Sequence, residues 1–113
     1  MSYELVFVRI DQPALGKVTS VLVPGARFPL ELNRAVEIGR SATVEISVGS
    51  GSVARRHARV CLRRDDAGDV ALDITDLGST NGTYVRGHSL TEDRISVGEE
   101  FSIAGLIFLL SQV

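Results

Sequence analysis

The stretch Asp69–Asp76, DVALDITD, sets apolar Val70, Leu72 and Ile74 against Ala71, Asp73 and Thr75 with a period of two. Only an extended chain sends alternate side chains to opposite faces, so this run reads as a strand with one face in a core. The same character recurs in short pieces. YELVFVRI (residues 3–10), KVTSVLV (17–23), RFPLEL (27–32), AVEIG (35–39) and Thr43–Val48 are runs rich in β-branched or other apolar residues, punctuated by Gly, Pro and Asn. EEFSI (99–103) places Phe101 and Ile103 on one face, and LIFLLSQV (106–113) reads as a strand buried on both sides. Asn81–Gly82 is the strongest short hairpin signal, because both residues tolerate positive φ. Many short strands at regular spacing predict an all-β chain, a β-sandwich with no substantial helix.

Composition narrows the class further. The 113 residues suit one domain, residues 1–113, and 44% hydrophobic content supplies a real core and argues against disorder. A net charge of −2 lacks the broad basic face that general nucleic-acid binding needs, although a small basic site fits. The single cysteine, Cys61, excludes an intrachain disulfide and fits a reducing compartment. MSYELVFVRI has no basic leader with a long apolar run, and the apolar run Ala104–Leu110 is far short of the roughly 20 residues of a membrane helix. The expectation is a cytoplasmic domain that binds neither nucleic acid nor membrane.

One segment offers a competing reading. Gly49-Ser50-Gly51-Ser52-Val53-Ala54 follows a strand-like run and matches G-x-G-x-x-A, and Ala54, Ala58, Cys61 and Leu62 recur at helical spacing. Asp73 and Asp76 follow about twenty residues on, where a dinucleotide site would place its ribose-binding carboxylate. The context opposes it: the flanks are β, and no further βα units follow. The same residues also alternate as a strand, with Ala58, Val60 and Leu62 facing one way.

Three pieces in order carry more weight: IGRS at Ile38–Ser41, RRHARV at Arg55–Val60, and DLGSTNGTYVRG at Asp76–Gly87. Within an all-β chain they resemble the forkhead-associated (FHA) domain, over nearly the whole chain and most specifically in the third piece. The motif-bearing core is about residues 28–110. Gly39 and Arg40 match the family's GR; Arg55 and His57 match most of its S-R-x-H; Ser79, Thr80, Asn81, Gly82 and Thr83 match its S-T-N-G-T. The resemblance implies a two-sheet sandwich of about eleven strands whose loops, at one end, hold a phosphothreonine peptide. It also implies that Thr80 donates to the phosphate and that Asn81 bonds the peptide backbone, with Ser79 beside them. Gly39, His57 and Gly82 would be structural.

Physical chemistry supports such a site. A phosphothreonine carries nearly two negative charges and three acceptor oxygens. Arg40 is always ionised and presents a fork of donors; Arg55 is placed for a second contact, while Arg56 and Arg59 read as solvated charges. Glycines of the Gly49–Ser52 loop allow backbone N–H groups to approach, and Ser50 or Ser52 could lean in. One departure stands out. Three residues before His57 the family carries a phosphate-binding serine, and this chain has Ala54. Losing one hydrogen bond to a charged group costs roughly 1.5–3 kcal/mol, about ten- to a hundredfold in affinity. The alternative is an FHA fold that makes phosphate-independent protein contacts.

Catalytic and metal readings find no support. His57 and Cys61 lie roughly 13 Å apart along a strand, too far for one metal ion, and His88 completes no cluster. GSTNG only superficially resembles a G-x-S-x-G nucleophile elbow, since Thr80 holds its centre. The expectation is a monomeric binding module, not an enzyme, without cofactor or metal.

Overall fold

The computed structural model describes residues 1–11 and 22–113. Among the described residues there is no helix, and eleven strands form two sheets. In chain order they are β1 (Tyr3–Ile10), β2 (Arg27–Leu30), β3 (Ala35–Gly39), β4 (Ile46–Ser47), β5 (Ala58–Arg64) and β6 (Val70–Asp76). There follow β7 (Thr83–Val85), β8 (His88–Ser89), β9 (Glu92–Ser96), β10 (Glu100–Ile103) and β11 (Leu106–Gln112). The first sheet has the order β2-β1-β11-β10-β7-β8 and the second β4-β3-β5-β6-β9. Every pairing is antiparallel except β3 with β4.

The two-residue period decides which side chains meet between the sheets. Leu5 and Phe7 of β1, Phe101 and Ile103 of β10, and Leu106, Phe108 and Leu110 of β11 form the inner face of the first sheet. Opposite them lie Val36 and Ile38 of β3, Ala58, Val60 and Leu62 of β5, Leu72 and Ile74 of β6, and Ile95 of β9. Register delivers these in pairs: Val60 opposes Ile74, and Leu62 opposes Leu72. Phe108 is central, with Phe101 stacked on it at 5.6 Å and Phe7 and Phe28 tilted against it at 5.7 and 6.4 Å. Such aromatic pairs add about 0.5–1.5 kcal/mol each beyond the area that they bury. In β11 Leu106, Ile107 and Phe108 are all buried, as the continuous apolar run predicted.

Several sequence expectations change in detail. Strand β4 occupies only Ile46–Ser47 of the expected Thr43–Val48, and β2 ends at Leu30. Most of the KVTSVLV run lies outside the described residues, and Leu22 and Val23 are not in a strand. The helical reading of residues 54–62 fails outright: β5 is hydrogen-bonded between β3 and β6. With it goes the dinucleotide site, which needs a helix directly after the glycine loop.

Asn81–Gly82 is not a hairpin turn either. A two-residue turn of that type needs positive φ at both positions, and here Gly82 has it (82°) while Asn81 does not. Strands β6 and β7 lie in different sheets, so residues 77–82 carry the chain across the end of the sandwich. The two-residue hairpins occur at Arg86–Gly87 (φ 51° and 79°) and Ala104–Gly105 (48° and 84°), closing Val85 on His88 and Ile103 on Leu106.

The crossing is braced by Asp76. One carboxylate oxygen accepts the backbone N–H groups of Gly78 and Ser79, each at 3.0 Å. The other accepts the hydroxyls of Ser79 at 2.6 Å and Thr83 at 2.7 Å. Ser79 Oγ in turn accepts the N–H of Gly82 at 3.0 Å. Burial works to raise the Asp76 pKa, but these donors outweigh it and hold the carboxyl below its ordinary value. An acid with a depressed native pKa stabilises the fold above its unfolded pKa, about 3.9, and loses that contribution as pH falls through the native value. Asp76→Ala is therefore expected to cost about 2–3 kcal/mol at pH 7 in urea unfolding. The difference from wild type should shrink as the pH is lowered below about 4; a gap that stays constant to pH 2 would refute the bracing role.

Candidate functional site

The three motif pieces meet at one end of the sandwich, and backbone geometry explains how. Gly39 ends β3 against the segment leading into β5. A methyl group at Gly39 would stand 2.1 Å from the Arg55 carbonyl oxygen, so no larger residue fits there. The close approach is secured by Arg40 N–H donating to the Ala54 carbonyl (2.9 Å), Ser41 N–H to that of Arg55 (3.1 Å) and His57 N–H to that of Ile38 (2.9 Å). Val48 N–H donates to the Gly39 carbonyl at 2.8 Å, closing the same region from β4.

His57 joins this pair of segments to the third. Its side chain is fully buried. Nδ1 accepts the Ala54 N–H at 3.1 Å, which leaves the ring proton on Nε2, donated to the Gly82 carbonyl at 2.8 Å. Burial lowers the His57 pKa, outweighing the opposing effects of the Gly82 carbonyl and Asp76, and so keeps the ring neutral. Both ring nitrogens are committed to the backbone, which leaves His57 no capacity to act as a base. The Asn81 amide adds a further tie, Nδ2 donating to the Ser52 carbonyl at 2.7 Å. Its Oδ1 and second N–H have no bond to the described residues.

The charges at this end differ from those elsewhere. Arg9 faces Glu100, Arg27 faces Glu4 and Arg34 faces Glu31. Arg63 and Arg94 share Asp73, and Arg86 bridges Asp93 and Glu99. Arg56 and Arg59 were expected to be solvated; they are exposed, but both pair with Glu37, Arg56 by a fork at 2.6 and 2.7 Å. The Arg56 fork, with smaller help from Arg59 and against the opposing effect of burial, lowers the Glu37 pKa to about 2. Among the described residues, Arg40, Arg55 and Arg64 have no carboxylate partner, and Arg64 donates to the Gly68 carbonyl in its own hairpin. Arg40 is anchored through Nε to the Val53 carbonyl at 3.1 Å, which leaves its two terminal nitrogens free. Arg55 is exposed and makes no side-chain bond to the described residues.

The remaining candidates divide in two. Thr80 is exposed on the crossing loop with an uncommitted hydroxyl. Ser79 is turned inward to Asp76. Ser52 is half-buried, its hydroxyl 2.9 Å from that of Ser50. One residue escaped the sequence reading as a member of this end, and a second was named without its burial. Asp76 was weighed only as a ribose ligand, although it opens the third motif piece; Ser50 is buried, which its place in a Gly/Ser loop gives no sign of. The assembled groups amount to two cations without counter-charges, a hydroxyl and a carboxamide on an open surface. That set can meet an anion carried by an extended chain. Among the described residues no group of three or more His, Cys, Asp or Glu side chains is placed to hold a metal ion.

Comparison with known proteins agrees with this architecture. The FHA domain family model matches residues 36–104. The chain is 35% identical over 79 residues to an oxoglutarate dehydrogenase inhibitor of Corynebacterium diphtheriae, a match covering 70% of this chain and 51% of that protein. This chain thus matches about half the length of that relative. Among solved structures it resembles the FHA domain of the CT664 protein from Chlamydia trachomatis, with a TM-score of 0.75 and 23% identity over 100% of this chain and 99% of the other. It also resembles Mycobacterium tuberculosis EmbR in complex with a low affinity phosphopeptide, with a TM-score of 0.66 and 22% identity over 97% of this chain and 24% of the other. The chain belongs to the FHA domain family.

Proposed function

We propose that this domain is a phosphothreonine-reading module that docks a kinase-modified partner, acting as a monomer in the cytoplasm. The observation that carries the reading is the pair of arginines, Arg40 and Arg55, left without carboxylates on segments that are hydrogen-bonded to each other. A buried carboxylate partner would have neutralised them; their free donors suit a dianion instead. Arg40 supplies the principal charge and Arg55 a second contact. Thr80 donates its hydroxyl to the phosphate, and the free amide groups of Asn81 bond the peptide backbone beside the phosphoresidue. FHA domains are interaction modules, and the solved relative with a bound phosphopeptide supports this use of the loops. The relative named as an inhibitor of oxoglutarate dehydrogenase supports a partner that is itself an enzyme.

Ala54 favours a second reading, in which the same loops make phosphate-independent protein contacts. The two readings separate in one experiment. A degenerate phosphothreonine-peptide library identifies the best ligand, and calorimetry then compares it with its unphosphorylated twin. The first reading expects binding only of the phosphorylated form; equal binding of the twin would establish the second.

Two variants sharpen the test. Arg40→Ala is expected to weaken phosphopeptide binding by a hundredfold or more, since it removes a charge-assisted fork, while the unfolding midpoint stays close to that of wild type. Matched phosphoserine peptides are expected to bind more weakly than phosphothreonine ones, for want of the threonine methyl. Unchanged affinity in Arg40→Ala would rule the site out.

A further inference from the structure

The absent serine hydroxyl at position 54 has a counterpart in the loop just before it. Ser50 is 1% exposed, and its hydroxyl has one partner, Ser52 Oγ at 2.9 Å. A buried hydroxyl that fails to donate carries a desolvation cost, so the hydrogen of Ser50 belongs to Ser52. Ser52 then accepts, and its own hydrogen is uncommitted. Accepting one hydrogen bond also polarises an O–H and strengthens its donation of the next. Ser52 stands between the two anchored residues of the site: its carbonyl takes the Asn81 amide at 2.7 Å, and the next carbonyl, of Val53, takes Arg40 Nε at 3.1 Å. Beside it, the space that a side chain at Gly51 would enter is open.

We infer that Ser52 is a second hydroxyl donor to the phosphate beside Thr80, with Ser50 as the buried residue that positions it, in place of the serine absent at position 54. This rests on the phosphothreonine reading above. The loop supplies by a two-serine relay what the family supplies by one serine nearer His57. The relay also gives the Gly49–Ser52 sequence a purpose that the dinucleotide reading could not.

The test uses N-acetyl-phosphothreonine methylamide and its unphosphorylated twin as probes. They are titrated by NMR into wild type, Arg40→Ala, Ser52→Ala, Ser52→Thr, Ser50→Ala, Ala54→Ser and the double variant Ser52→Ala/Ala54→Ser. Amide spectra report whether each variant keeps its fold. Ser52→Ala is expected to weaken binding about tenfold, the scale of one hydrogen bond to a charged group, while Ser52→Thr stays within about threefold of wild type. Ser50→Ala is expected to fall between them. Ala54→Ser should gain more in the Ser52→Ala background than in wild type, because the two hydroxyls serve one anion. Phosphate-dependent binding that needs Arg40 but is unchanged in Ser52→Ala would overturn this inference and leave the function standing. Equal losses in Ser52→Ala and Ser52→Thr would also overturn it. No phosphate-dependent binding in wild type would overturn both.

Discussion

The buried imidazole of His57 is the joint on which the functional end of the molecule depends. Its two nitrogens must play opposite parts, one accepting the Ala54 N–H and the other donating to the Gly82 carbonyl. Only the neutral ring can do both, since a protonated ring would set two donors face to face at Nδ1. Burial enforces that state by opposing the charged form. The residue's own backbone extends the joint: its N–H goes to Ile38 and its carbonyl takes the N–H of Leu77. Three segments distant in sequence are thereby held together before any ligand arrives. A site assembled in advance loses less conformational freedom on binding, which is where loops ordinarily forfeit affinity.

Charge is distributed with the same logic. The chain is slightly acidic overall, and across the sheets its exposed arginines other than Arg64, which donates to the Gly68 carbonyl, are matched by carboxylates. Solvent screening makes each such pair worth little, yet together they leave those faces without a field strong enough to attract an anion. Arg40 and Arg55 escape the pairing and supply a local positive end on a negative molecule. Arg40 is further restrained by its Nε bond to Val53, so its fork points outward at reduced entropic cost. The proposed affinity for an anion rests on where charge is left unpaired, which the net charge of −2 conceals.

The core and the site are joined through Val53, whose side chain is buried in the core and whose carbonyl holds Arg40. Phe108 and its ring neighbours, with the paired aliphatics of β5 and β6, hold the sheets together. The loop that carries Ser52 reaches into that packing through Val48 and Val53, both buried in the core, while Asp76 and Gly39 fix the loops to the strands.

What the amino-acid sequence determined by itself was the local periodicity and the motif chemistry. Alternation in Val70–Ile74 and Phe101–Ile103 placed those residues on an inner face because side-chain direction in a strand depends only on the neighbouring backbone. The order of Gly39-Arg40, Arg55-x-His57 and Ser79–Thr83 was legible for the same reason: each is a local pattern. Position in space was not. Asn81–Gly82 carries the residues of a hairpin, yet its flanking strands lie in different sheets, a matter of long-range pairing that overrides turn preference. Arg55, Arg56 and Arg59 look alike along the chain. Only the antiparallel register of β3 against β5 sets Glu37 opposite Arg59 and within reach of Arg56, leaving Arg55 unmatched. Burial of Ser50, and with it the direction of its hydroxyl, likewise exists only in the folded molecule, because desolvation and hydrogen-bond choice depend on what packs around a group and not on its neighbours in sequence.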